Sequence, residues 1–159
     1  MESETKLDQV DRKILRLLQE NAAIQNQELA DAVGLSPSPC HRRVKALEQA
    51  GVIRKYVALL DGEAVGAGFV AFVEVRLERQ AKAFADRFEA AIQARGEVTE
   101  CSLITGDYDY ILKVNARNLE DFHSFLMEFL TRIEGVANTR TVIPVKRIKE
   151  TTALRIGGG

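Results

Sequence analysis

The sequence predicts an α+β fold in two parts, helices alone in the first third and a β-α-β-β-α-β order in the rest. Three observations carry this reading. Up to Leu47 the apolar residues recur at helical spacing. From Phe69 to Leu77 the pattern changes to alternation, with Phe69, Ala71, Val73, Val75 and Leu77 on one wholly apolar face. Between the two lie residues 61–68, which hold Gly62, Gly66 and Gly68 and little periodicity, and read as a boundary.

Leu7, Val10, Ile14, Leu17 and Leu18 form the apolar stripe of a first helix. Asp8 suits its N-cap, with Asp11 three residues on as the partner of a capping box, and Asn21 ends it. A short second helix starts near Asn26 and packs through Leu29, Ala30 and Val33. Gly34 supplies the left-handed residue on which helices commonly end. A third helix starts at Ser36, a strong N-cap. Pro37 falls at the first helical position and Pro39 at the third, both inside the turn whose N–H groups lack helical partners. Cys40, Val44 and Leu47 face inward, and Gly51 stops the helix. Two helices joined by a short glycine turn form a helix-turn-helix, here of winged-helix-like type, with a strand expected over 53–60.

In the second part a helix is expected over about 80–95, with Phe84, Phe88, Ala91 and Ile92 inward and Gly96 as terminator. Strands follow at about 98–104 and 108–115. A helix capped by Asn118 runs to about 132 and buries Leu119, Phe122, Leu126, Phe129 and Leu130, and a last strand covers about 138–149. This is the split β-α-β, or ferredoxin-like, order. Its helices cover one sheet face, so Val70 and Phe72 on the other face suggest that a second subunit covers them, a homodimer. Pro144 in the last strand removes one ladder donor, which suggests an edge or a bulge. The domains are therefore expected at 1–52, with a linker strand and hinge at 53–68, a second domain at 69–154 and a disordered tail at 155–159.

With 46% hydrophobic and 28% charged residues the chain can bury a core. The net charge is −1, but its distribution is uneven. Over residues 41–56, Arg42, Arg43, Lys45, Arg54 and Lys55 face Glu48 alone, and local positive potential matters more to phosphates than the total. Cys40 and Cys101 share no metal-ligand spacing and are expected on buried faces as reduced, inert thiols. No apolar run approaches the ~20 residues of a membrane span, and no apolar signal segment opens the chain, so a cytoplasmic, nucleoid-associated protein is expected. No catalytic constellation is present. His41 and His123 fall in different domains, no phosphate-binding loop or metal cluster occurs, and the pair Asp107 and Asp109 lacks a companion for acid–base work.

A helix-turn-helix with a basic outer face points to double-stranded DNA. With Cys40, Val44 and Leu47 inward, Ser38, Arg42, Lys45 and Gln49 point outward, and His41 and Arg43 lie on opposite flanks. Arg42 suits guanine O6 and N7. Ser36 and Ser38 suit phosphate at the helix N-terminus, and Lys45, Arg54 and Lys55 suit backbone neutralisation. A basic helix face is also commonly only a solvated one. Arg43 can equally pair with an acid of the first helix, and His41 can simply pack on the flank.

Four motifs occur in order. They are Leu7, Asp8, Asp11, Ile14, Leu15, Leu17 and Leu18; then Gly34-Leu35-Ser36-Pro37-Ser38-Pro39-Cys40 with Arg43, Val44, Leu47, Glu48 and Gly51; then Gly106-Asp107-Tyr108-Asp109-Tyr110; then Gly135-Val136 with Thr139, Arg140 and Thr141. In this order the chain resembles the Lrp/AsnC family of bacterial and archaeal transcription regulators from about Leu7 to Glu150. The Ser-Pro-Ser-Pro-Cys opening is nearer its leucine-responsive branch. The resemblance implies an operator-binding dimer that assembles further, commonly to octamers. It also implies a free amino acid bound in the α/β half, at or near dimer–dimer contacts, and control of amino-acid metabolism or transport genes. No cofactor is implied beyond that effector. An amino acid offers an ammonium beside a carboxylate. Gly106, next to Thr105, opens backbone N–H groups to the carboxylate, and Asp107 or Asp109 suits the ammonium. The resemblance adds Leu103, Leu119, Thr139, Thr141, Val142 and Ile143 as the wall. The same loop also has the composition of a plain hairpin turn. An architectural protein that compacts DNA with little sequence preference is the alternative reading of the whole chain.

Overall fold

Asp8 and Asp11 open the first helix of the computed structural model, which describes residues 6–78 and 82–157. The Asp11 N–H donates to Asp8 Oδ1 at 2.8 Å and the Asp8 N–H to Asp11 Oδ2 at 3.1 Å, a reciprocal capping box that starts α1 (Gln9–Glu20). Helix α2 (Asn26–Val33) ends on Gly34 at φ 76°. The Leu35 N–H reaches back to the Ala30 carbonyl and the Gly34 N–H to that of Asp31, which satisfies two terminal acceptors. The Asn26 side chain then donates to the Pro37 carbonyl at 2.9 Å and sets the turn between α2 and α3 (Pro37–Gln49). Ser36 sits at the N-cap, but its side chain makes no cap bond. A cap serine bonds the N–H of the second or third helical residue, and the third is Pro39, which has none. Ile14, Leu15, Leu29, Ala30, Val33, Cys40 and Leu47 form the core of this unit.

The same unit recruits a distant segment. The Gln19 side chain donates to the Leu154 carbonyl at 3.1 Å and accepts from the Leu154 N–H at 2.6 Å. Ile156 packs against the helical core beside them. One compact unit thus runs to Ala58 and takes back the chain from Lys149, while the other spans Leu59–Ile148. This division by packing differs from the expected boundaries at 52, 68 and 154, and in the tail expected to be disordered from 155 the apolar side chain of Ile156 finds a core surface and packs there. Gly158 and Gly159, and the expected helix start at 80, lie outside the described residues.

The strand expected over 53–60 does not form. The segment is irregular, with Tyr56, Val57, Leu59 and Leu60 exposed, because β-branched residues make a strand only beside a ladder partner and the chain offers none. No strand therefore follows α3 as a wing among the described residues.

The second unit has strands β1 (Phe69–Leu77), β2 (Val98–Leu103), β3 (Tyr110–Ala116) and β4 (Val136–Val142), with helices α4 (Lys82–Gln93) and α5 (Leu119–Ser124). The sheet is antiparallel in the order β2-β3-β1-β4, the expected ferredoxin-like arrangement. Ala71, Val73, Val75, Leu77, Tyr110, Leu112 and Val114 bury the face under the helices. The opposite face carries Val70, Phe72, Ile111 and Val142 among charged residues, half-buried or exposed. Two elements differ from expectation. β4 stops at Val142, two residues short of Pro144, and the irregularity in its pairing lies at Arg76/Leu77 instead. The helix after Asn118 widens into a π-helical stretch at Phe125–Phe129 and tightens over Leu130–Arg132. Across that wide turn the buried face falls on Phe122, Phe125 and Leu130, with Leu126 and Phe129 partly covered; Leu119, in the first turn of α5, is exposed.

Candidate nucleic-acid interface and effector loop

Helix α3 presents Ser38, His41, Arg42, Lys45 and Gln49 to solvent, with Cys40 and Leu47 buried beneath. Its three cations have different commitments. Arg43 Nη1 binds Asp8 at 2.6 Å and Asp11 at 2.8 Å, so the capping box of α1 doubles as the anchor of α3. Of the two roles open to Arg43, the structure shows the pairing with acids of the first helix, where two carboxylates match its charge within the unit. Lys45 pairs with Glu48 at 2.7 Å, and Glu48 also accepts from the Tyr56 hydroxyl at 3.1 Å. Both partners hold the Glu48 carboxyl below its ordinary range. An exposed pair of this kind is worth little. Arg42 has no acidic partner among the described residues, and neither do Arg54 and Lys55 beyond the helix. Ser36 and Ser38 are exposed at the start of α3, and His41 is exposed instead of packed on the flank.

The anchor predicts a pH dependence. The Asp11 N–H, and after it Arg43, hold the Asp8 carboxyl below its usual value. The stabilisation is therefore complete above the unfolded carboxylate pKa of about 4, and is lost as pH falls through the lower folded value. Thermal melting of the full chain is expected to fall on acidification below that range, and to fall less in Asp8→Asn. Equal acid sensitivity of the two proteins would assign the loss to other groups.

In the second unit the loop between β2 and β3 holds two acids with opposite commitments. Asp109 is built into the sheet. Its Oδ2 accepts the Leu77 N–H at 2.8 Å, its N–H donates to the Val75 carbonyl at 2.9 Å, and its carbonyl accepts from the Ile104 N–H at 2.8 Å. The Asp107 carboxylate is exposed and makes no hydrogen bond among the described residues, while its backbone carbonyl accepts from Arg76 Nε at 2.6 Å. Gly106 holds φ 121° with nothing within 4 Å of the place a Cβ would take. Thr105 and Gly106 are exposed beside it.

The wall residues do not all meet here. Leu103 and Thr139 share a row with Tyr110 and Val75 at the loop's end of the sheet, and Thr141 pairs with Val73 two rows further. Val142 pairs with Phe72, Ile143 lies beyond it, and Leu119 follows β3 at the end where Ala116 pairs with Phe69. From Val75 to Phe69 is roughly 20 Å at about 3.3 Å per residue, so one chain does not gather the set into one pocket.

Sequence reasoning missed two features. A cavity of about 720 Å³ lies away from the loop, lined by Gly66, Arg95, Asn115, Asp121, Phe125 and Phe129 among others, and none of the expected effector residues lines it. Arg95 stacks over Phe129 at 4.3 Å and binds Glu97 at 2.7 Å. No local signal brings residues so far apart together. The second feature is the setting of Tyr108, whose motif was legible but whose neighbours come from other strands. Cys101, expected on a buried face, is exposed because β2 is an edge strand. Protein around the sulfur and then Glu89 raise its pKa, burial raises that of Cys40, and neither is a thiolate nucleophile at neutral pH. Among the described residues no three His, Cys, Asp or Glu side chains gather as a metal site, and no helix is long and apolar enough to cross a membrane.

Comparison with known proteins gives two domain matches. Residues 7–54 match a winged helix-turn-helix DNA-binding domain and residues 70–154 the Lrp/AsnC ligand binding domain. The leucine-responsive regulatory proteins of Salmonella typhimurium and Escherichia coli K12 are each 41% identical over 150 residues, 94% of this chain and 92% of theirs. A transcriptional regulator of Neisseria meningitidis, crystallised with L-Met, superposes with a TM-score of 0.91 at 41% identity, over 94% of this chain and 97% of that one. Escherichia coli AsnC superposes at 0.85 with 29% identity, over 93% and 98%.

Proposed function

The chain belongs to the Lrp/AsnC family of DNA-binding transcription regulators, and from that premise we propose that it reads a specific operator under the control of a free amino acid. It is a regulator and not an enzyme. The genes it serves are those of amino-acid metabolism or transport, and it works in the cytoplasm, where its DNA is. The division of labour between Asp109 and Asp107 carries the reading. One acid fixes the loop to β1, and the other stands ready, beside Gly106, to take an ammonium while backbone N–H groups take the carboxylate. On the DNA side, Arg42 reads a base edge. Ser36, Ser38, Lys45 and Arg54 hold phosphates, and His41 sits at the edge of the contact. The apolar patch of Val70, Phe72, Ile111 and Val142 supports a homodimer packed through the open sheet face, with dimers assembling further to octamers. The separation of Leu119, Val142 and Ile143 from the loop supports a site that a second copy completes.

Relatives named for leucine and crystallised with L-Met make L-leucine and L-methionine the first probes in a thermal-shift screen of the common amino acids, run with sizing chromatography. A ligand at a hundred times its Kd stabilises the folded state by about 2.7 kcal/mol. Asp107→Asn is expected to abolish that shift and keep wild-type stability. Asp109→Ala is expected to lower the melting temperature without ligand, since it leaves the Leu77 N–H unpaired. A full response in Asp107→Asn would remove Asp107 as the ammonium acceptor, and no response from the wild type to any amino acid would refute the effector reading.

A further inference from the structure

Tyr108 lies between the open and the fixed ends of the effector loop, and its ring is held from two strands. The Arg76 guanidinium on β1 and the Arg140 guanidinium on β4 each lie 5.2 Å from its centroid. Two like charges on one ring repel unless offset. The ring's negative faces attract both, and Arg140 is also paired with Glu74, its register partner on β1. Arg76 has a second duty, since its Nε holds the Asp107 carbonyl at 2.6 Å. Glu74, Arg76 and Arg140 all stand on the sheet face opposite the helices, in the surface that carries Phe72 and Val142.

Asp109 cannot follow a ligand, because two hydrogen bonds tie it to β1. Gly106 and the Asp107 side chain can. A turn of the peptide between Asp107 and Tyr108 moves the acceptor of Arg76 and the ring beneath Arg140 together. We propose that Tyr108, clamped between Arg76 and Arg140, is the positioning residue that transmits occupancy of the Gly106–Asp107 loop to the open sheet face. The proposal rests on the reading of that loop as an amino-acid site. A ligand shifts an equilibrium only through contacts that differ between two states, and the Arg76–Tyr108–Arg140 stack is such a contact, one peptide away from the ligand.

The full chain, Y108F, Y108L and R140Q are compared with L-leucine and L-methionine as probes. Calorimetry reads amino-acid binding. Sizing chromatography, and affinity for a duplex selected by the wild-type chain from random sequence, read the response. Wild type and Y108F, which keeps the ring face, are expected to show a ligand-induced change of about five-fold or more. Y108L and R140Q are expected to bind the amino acid within about three-fold of wild type but to change assembly and duplex affinity by less than about two-fold. A full response in Y108L or in R140Q overturns the proposal. So does loss of amino-acid binding in Y108L, which would make Tyr108 a ligand contact. If Y108L does not fold, R140Q alone decides. If the wild type binds neither, the amino acid that the thermal-shift screen identifies takes their place as probe; if the screen identifies none, the reading of the loop fails and the proposal falls with it, a result distinct from binding without transmission.

Discussion

Arg42→Ala is expected to weaken binding to the selected operator by about 1–3 kcal/mol and to relax preference at one base position. The other two cations of α3 already have acidic partners. Arg43 is consumed by Asp8 and Asp11, and Lys45 is shared with Glu48, so Arg42 is the cation of α3 whose five donors are uncommitted among the described residues. A planar fork matches guanine O6 and N7, whereas an ammonium neutralises phosphate without regard to sequence. Lys45→Ala should therefore weaken all duplexes alike and lower the dependence of affinity on salt. Binding to a panel of singly substituted duplexes at fixed ionic strength separates the two. An unchanged preference profile in Arg42→Ala would take this residue out of base reading, and uniform coating of every duplex by the wild type would favour the architectural alternative.

A comparably large effect is expected in the second unit. Gly135→Ala should cost the second unit about 3 kcal/mol, from a left-handed backbone penalty of about 1–2 and an overpacking penalty of about 1–3. Gly135 holds φ 96°, and a Cβ there would stand 2.5 Å from Phe84 Cδ1 and 2.9 Å from its Cγ. The backbone has no room to yield, because the Gly135 carbonyl accepts the Glu78 N–H at 2.7 Å where β1 ends. Gly106→Ala is the control. Its φ of 121° is also unfavourable for alanine, but no atom lies within 4 Å, so the backbone penalty stands alone. Urea denaturation of the two variants should show the larger loss for Gly135→Ala, and equal losses would mean that Phe84 swings aside without cost.

The parts of this fold that were legible in the sequence are those whose signals are local. Asp8 with Asp11, Gly34 and Gly51 mark helix ends through atoms a few residues away, so they could be read without a partner. The alternation from Phe69 to Leu77 likewise announced a strand with one buried face. Residues 53–60 carried equally good β-residues and formed nothing, because strand formation belongs to a pair of segments. The π-helical widening at Phe125–Phe129 escaped the stripe that pointed to Leu126, since periodicity assumes one turn length. In the candidate site, the residues of the loop were legible but the division between them was not. Asp107 and Asp109 are the same residue type two positions apart, and only the Leu77 N–H, supplied by another strand, distinguishes them. Resemblance supplied Leu119 as a wall residue but could not say whether it faces the loop of its own chain.

The grip of Gln19 on Leu154 has a consequence for the order in which the protein is made. Those residues are 135 positions apart, so α1 is synthesised long before the segment that covers it. Domains generally fold in turn from the N-terminus during translation. Here the unit that starts first is completed only after the whole sensor half has been produced. A nascent or truncated chain that stops short of Leu154 exposes the apolar edge that Ile156 covers. The helix-turn-helix unit is in this sense not a cassette: excised at Ala58 it leaves its own closure behind.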